Sequence, residues 1–146
     1  MARLFDDTFD PSVLGLSFDG ASPAKDVTLP ERVRLSEFVG RVAVETISRD
    51  ANGQRVRYLI TLRLEPNRLV DRASFPPTVE LKITEESPAF SVVSARESSF
   101  RGLTFILYAR RLAAAEGPEL YWHATVDDPE VAKAILVARD LSPLVD

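Results

Sequence analysis

"RVAVETISRDANGQRVRYLITLRLEP", residues 41–66, is the stretch on which the fold turns. Its second half alternates. Val56, Tyr58, Ile60, Leu62 and Leu64 fall on one face, and Arg55, Arg57, Thr61, Arg63 and Glu65 mostly on the other. Successive side chains of an extended chain point to opposite sides, so this pattern predicts a strand with one buried face. Asn52-Gly53 joins it to a first strand carrying Val42 and Val44, and Asn-Gly between two such runs signals a hairpin. The faces then test the register. A two-residue Asn-Gly loop would set Val44 opposite Thr61 and Val42 opposite Arg63, which mixes faces; a slip of one residue moves every side chain to the other side. A three-residue loop, Ala51-Asn52-Gly53, sets Val44 opposite Ile60 and Val42 opposite Leu62. The expected turn is therefore a type I turn with a G1 bulge, Gly53 at positive φ and Asp50 paired with Gln54.

Working outward, more strands are expected. "TVELKITEE" follows the Pro76-Pro77 break, with Val79, Leu81 and Ile83 inward. "FSVVSARE" reads as its return. "LTFILYARRL" is apolar on both faces, with Leu103, Phe105 and Leu107 on one and Ile106 and Tyr108 on the other, so it should be central or covered. "LYWHATV" is the last strand. Six short strands separated by turn signals predict a mainly β fold: a six-stranded antiparallel meander, as a sandwich or barrel.

"LYWHATVDDPEVAKAIL", residues 120–136, contains the only Trp and the only His. Asp128 before Pro129 is a helix start: its carboxylate can accept from the first-turn N–H groups, and Pro fits the first helical position. Glu130 suits the positive end of the helix dipole. A C-terminal helix is expected over 129–139. It is apolar almost all round, which calls for cover on more than one side, from the arm and tail or from another subunit.

Residues 1–31 form an irregular acidic arm, distinct from a β domain at 32–146. Pro11, Pro23 and Pro30 interrupt it, and one helical turn is expected at 11–15. Phe5, Phe9 and Phe18 make it too aromatic for a disordered tail, so it should dock on its own domain or on a partner.

The chain has 146 residues, no cysteine and a net charge of −4. The length predicts one domain able to bury a sizeable core. Without cysteine there is no thiol catalysis, disulfide or Cys-bound zinc, and no cofactor or metal is expected. Acidic residues gather at the ends and the centre is weakly basic, too weakly for a general nucleic-acid binder. The bias of 15 Arg to 3 Lys fits compositional drift in a GC-rich, bacterial genome. The first residues do not resemble a secretory signal. The longest apolar run is far short of the ~20 residues that span a bilayer. A soluble, cytoplasmic protein is expected.

Chemistry is sparse. There is no GxSxG, P-loop or Rossmann glycine pattern, and "DANG" lacks the rest of a calcium loop. His123 lies on the less apolar face of its strand, where a partly exposed or locally hydrogen-bonded His is the plain expectation. Arg41, Arg55, Arg57 and Arg63 make a basic face, either solvated among mixed charges or docked by an acidic partner. Cross-strand Arg41–Arg63 and Arg49–Arg55 pairs would repel unless neutralised. The expectation is a non-catalytic binding or assembly subunit, working through protein contacts in a homo-oligomer or larger complex. The alternative is a ligand-binding or enzymatic barrel with Trp122, His123, Tyr58 and Tyr108 around a pocket.

Overall fold

The computed structural model describes residues 4–15, 23–53, 55–114 and 117–145; at 52, 112–114, 117–119 and 142–145 it describes the backbone alone. The elements are α1 (Leu29–Leu35), β1 (Phe38–Asn52), β2 (Arg55–Leu64), β3 (Val70–Asp71), β4 (Thr78–Thr84), α2 (Phe90–Ala95), β5 (Thr104–Ala114), β6 (Gly117–Thr125) and α3 (Pro129–Val145). Short 3-10 turns occupy Pro11–Leu14, Pro23–Lys25 and Glu97–Phe100.

The fold is mainly β, with six antiparallel strands, a C-terminal helix and an N-terminal arm. The sheet is single and open, in the order β4-β2-β1-β5-β6, with the short β3 also paired to β1. It is therefore neither a sandwich nor a barrel, and β1 at its centre interrupts a simple meander. Helices take the place of the second sheet.

The hairpin register differs from expectation at its turn. Asn52 pairs with Arg55 and Asp50 with Arg57, so Asp50 does not meet Gln54, which lies outside the described residues. Gly53 does have positive φ, at 68°. Farther along, Val44 faces Leu62 and Val42 faces Leu64, after a register shift between Val44 and Thr46. The extra residue, Glu45, is a β-bulge, and it reconciles the buried face with this register. Val42, Val44 and Ile47 are all buried while Glu45 and Thr46 are exposed. A regular strand cannot put 42, 44 and 47 on one face; one inserted residue can. An unbroken alternation, by contrast, would require a different turn.

"FSVVSARE" is a helix, not a strand. Ala89 and Val93 are the buried positions, four residues apart, and Phe90 packs on Tyr58 with ring centroids 5.8 Å apart. The β-branched Val92-Val93 pair favours a strand locally, but packing beneath the sheet overrides propensity.

Two apolar clusters lie on opposite faces of the sheet. One contains Phe38, Val42, Ile60, Leu81, Val93, Phe105 and Trp122. The other contains Val33, Val39, Ile106, Tyr108, Val131 and Ile135 beneath α1 and α3. β5 contributes Phe105 and Leu107 to the first and Ile106 and Tyr108 to the second. It is thus central and covered on both sides, as its composition predicts.

α3 starts where expected. The Asp128 side chain accepts from the Glu130 N–H at 3.3 Å, and its carbonyl accepts from Ala132 at 3.0 Å. The helix runs beyond 139 to Val145. No helix among the described residues is long and apolar enough to cross a membrane.

Candidate functional site

The arm is built into its own domain. Phe9 forms a parallel bridge with Ala124. Asp7 N–H donates to the Trp122 carbonyl at 2.9 Å, Ala124 N–H to Thr8 at 3.1 Å, and Asp10 N–H to Ala124 at 2.8 Å. The edge of β6 is thereby paired at Trp122 and Ala124, which removes exposed backbone donors and acceptors there. The arm also wraps the edge. Leu4 and Phe5 join the cluster under the helices, while Phe9 and Val13 join the opposite one. Phe9 sits among Phe100, Phe105 and Trp122, with centroids 4.9, 5.5 and 4.8 Å away. The helical turn expected at 11–15 is the 3-10 turn at Pro11–Leu14, capped by Asp10. Phe18 lies outside the described residues. α1 straddles the boundary drawn at 31/32.

A polar cluster holds the arm from the helical side. His123 is buried, and its Nδ1 lies 2.9 Å from Asp6 Oδ1. The Thr8 hydroxyl donates to the same oxygen at 2.7 Å. Burial pushes the Asp6 carboxyl upward, but the bonds from His123 and Thr8 outweigh it and hold the group below its ordinary value. Arg32 completes the clamp: its Nε donates to the Leu4 carbonyl at 2.7 Å, and Nη1 reaches Asp26 at 3.4 Å. Its guanidinium stands 5.3 Å from the centre of the Tyr108 ring. Asp26 also lies below its ordinary value: burial raises it, and bonds from Thr28 and Arg32 more than compensate. Burial pushes the Tyr108 hydroxyl upward.

Asp6 on Nδ1 fixes the orientation of the imidazole, as a carboxylate does for a catalytic His. Thr8, however, lies on the same side, 3.5 Å from Nδ1, so it is not placed as a nucleophile for the other ring nitrogen. The cluster is organised to fasten the arm. Among the described residues no group of three or more His, Cys, Asp or Glu could hold a metal ion.

The residues proposed to share a pocket are divided by the sheet. Tyr108 and His123 are neighbours, with centroids 6.0 Å apart. Trp122 and Tyr58 belong to the apolar cluster on the other face, where Trp122 packs against Phe9. All four side chains are buried.

The basic face is mostly neutralised within the chain. Arg41 pairs with Asp127 at 2.7 Å, Arg55 with Glu86 at 2.8 Å and Arg57 with Asp50 at 3.2 Å. Arg63 is exposed, opposite Ala43. The repelling Arg41–Arg63 and Arg49–Arg55 pairs do not form: Arg63 lies opposite Ala43, and Arg49 opposite Tyr58.

A small concavity of about 290 Å³ lies beside Arg55 and Arg57, lined also by Asp50, Thr84 and Glu86, and a larger one lies between α1 and α3. The larger measures about 820 Å³. Leu29, Pro30, Ala134, Val137, Ala138 and Leu141 supply its apolar wall, and Glu31, Arg34, Glu130 and Lys133 its rim. α3 turns Val131 and Ile135 onto the sheet, yet Val137 and Leu141, one helical turn apart, stay 54 % and 53 % exposed. The all-round apolar composition of this helix announces that surface. Nothing in the sequence announces that α1 lies across from it or that Asp6 meets His123.

No protein-family model, no curated protein and no solved structure matches this chain.

Proposed function

We propose that the protein is a non-catalytic binding or assembly subunit whose contact surface is the α1–α3 groove. One observation carries the reading: Val137 and Leu141 are exposed side by side on a groove whose wall is apolar and whose rim carries both signs of charge. Large apolar side chains grouped in one concavity mark contact sites rather than ordinary surface. An apolar floor with a charged rim suits the apolar stripe of a partner helix, with anchors spaced three or four residues apart. The polar cluster at His123 and the arm set the position of α1, and hence the shape of the groove.

The groove volume also falls within the ~300–1,000 Å³ of small-molecule sites, which favours a small apolar ligand as the second reading. The test is a photo-crosslinking amino acid placed at Val137 in the full chain, in cells of the source organism, with the same group at exposed Glu45 as control. The expected result is a discrete protein adduct at 137, absent at 45 and abolished by Leu141→Asp in a chain that still folds. Equal labelling at both positions would overturn the reading. Co-purification of an apolar small molecule, lost in Leu141→Asp, would transfer the site to the second reading.

A further inference from the structure

We propose that the exposed edge of β4 pairs antiparallel with β4 of a second copy of this chain, joining two sheets about a twofold axis at Leu81. The two ends of the sheet are treated differently. β6 is paired by the arm at Trp122 and Ala124, whereas β4 ends the strand order. Its outward groups can be identified. Leu64 N–H donates to the Pro77 carbonyl at 2.8 Å, and Leu62, Ile60 and Tyr58 lie opposite Val79, Leu81 and Ile83. In an antiparallel ladder alternate pairs exchange the bonds. Val79, Leu81 and Ile83 therefore bond to β2, while Thr78, Glu80 and Lys82 turn their N–H and C=O groups to the open side. Thr84, of the same parity, has its outward groups taken by Ser87, whose Oγ accepts and whose N–H donates, both at 2.9 Å.

Charge selects the register. The side chains of Glu80 and Lys82 are exposed, and neither is in an ion pair among the described residues, unlike Arg41, Arg55 and Arg57 on the same sheet. Pairing β4 with itself about Glu80 sets Glu80 against Glu80, and pairing about Lys82 sets Lys82 against Lys82. Only the register about Leu81 sets Glu80 opposite Lys82 of the other copy, twice over, at positions that both present free backbone bonds. Opposite charges directly across a strand pair attract and like charges repel. A twofold contact is self-complementary in this way by construction.

This contact shares the assembly reading but not its surface, so the two can fail separately. The test is sedimentation of the full chain up to the millimolar range. Wild type and Val137→Asp should both show concentration-dependent dimers. Glu80→Lys and Lys82→Glu should each weaken dimerisation by about tenfold or more, and the double exchange Glu80→Lys with Lys82→Glu should restore it. Glu80→Pro removes only an outward N–H, which edge strands tolerate; it should leave the circular dichroism spectrum unchanged and abolish the dimer. A chain monomeric throughout, or a dimer indifferent to Glu80→Lys, would overturn the proposal. A dimer lost only in Val137→Asp would move self-association to the groove.

Discussion

His123 Nδ1 and Asp6 Oδ1 lie 2.9 Å apart although 117 positions separate the two residues. The bond ties the arm to β6 at the edge of the sheet, on the side facing α1. Asp6→Asn and His123→Gln should each weaken arm docking, and the double variant should cost less than the sum of the two. A net coupling of about 0.5–1.5 kcal/mol is expected for one such hydrogen bond. Denaturant unfolding of the four proteins at neutral pH measures it, and strict additivity would show that the pair holds nothing.

The same cluster should release in acid. Asp6 and Asp26 both have folded-state values depressed below 3.8. Their stabilisation is therefore present above the unfolded value and is lost as pH falls through the lowered folded value. Wild type should lose its advantage over Asp6→Asn in that window, below pH 3.8. A stability gap that persists unchanged through the acid range would count against Asp6 as a fastening group.

Phe9 is the arm's principal anchor. It touches three aromatic rings, including the sole Trp of the chain, Trp122. Phe9→Ala should cost about 3–5 kcal/mol, the usual range for a buried Phe, and should shift Trp122 fluorescence to longer wavelength as the edge opens. Unaltered emission with intact stability would mean that the arm is dispensable cover.

The bulge makes an unusual deletion harmless. Without Glu45 the ladder would run directly from Val44 opposite Leu62 to Thr46 opposite Thr61, and Val42, Val44 and Ile47 would keep the buried face. Deleting Ala43 instead places Val42 next to Val44, so one of them must leave the core. The Glu45 deletion should yield a folded protein and the Ala43 deletion an unfolded or grossly destabilised one, judged by circular dichroism and thermal melting. The opposite order would refute the assignment of Glu45 as the inserted residue.

The sequence by itself determined the elements whose signals are local. The alternation of β2, the two-faced apolar composition of β5, the Asp128-Pro129 start of α3 and the positive φ of Gly53 all rest on period, capping or backbone sterics, which neighbouring residues suffice to express. The apolar surplus of α3 calls for cover on more than one side, and Val137 and Leu141 remain exposed. Tertiary structure decided the rest. Val92 and Val93 favour a strand, yet the space beneath the sheet takes Ala89 and Val93 at helical spacing. Glu45 carries no mark of a bulge, because only the strand opposite it reveals that 42, 44 and 47 must share a face. Asp6 with His123, Arg32 with the Leu4 carbonyl, and the division of Trp122 from Tyr108 by the sheet are long-range relations. They follow from where the arm crosses the β6 edge, and that path is chosen by the burial of Phe5 on one side and Phe9 on the other, a condition that no local stretch of the chain contains.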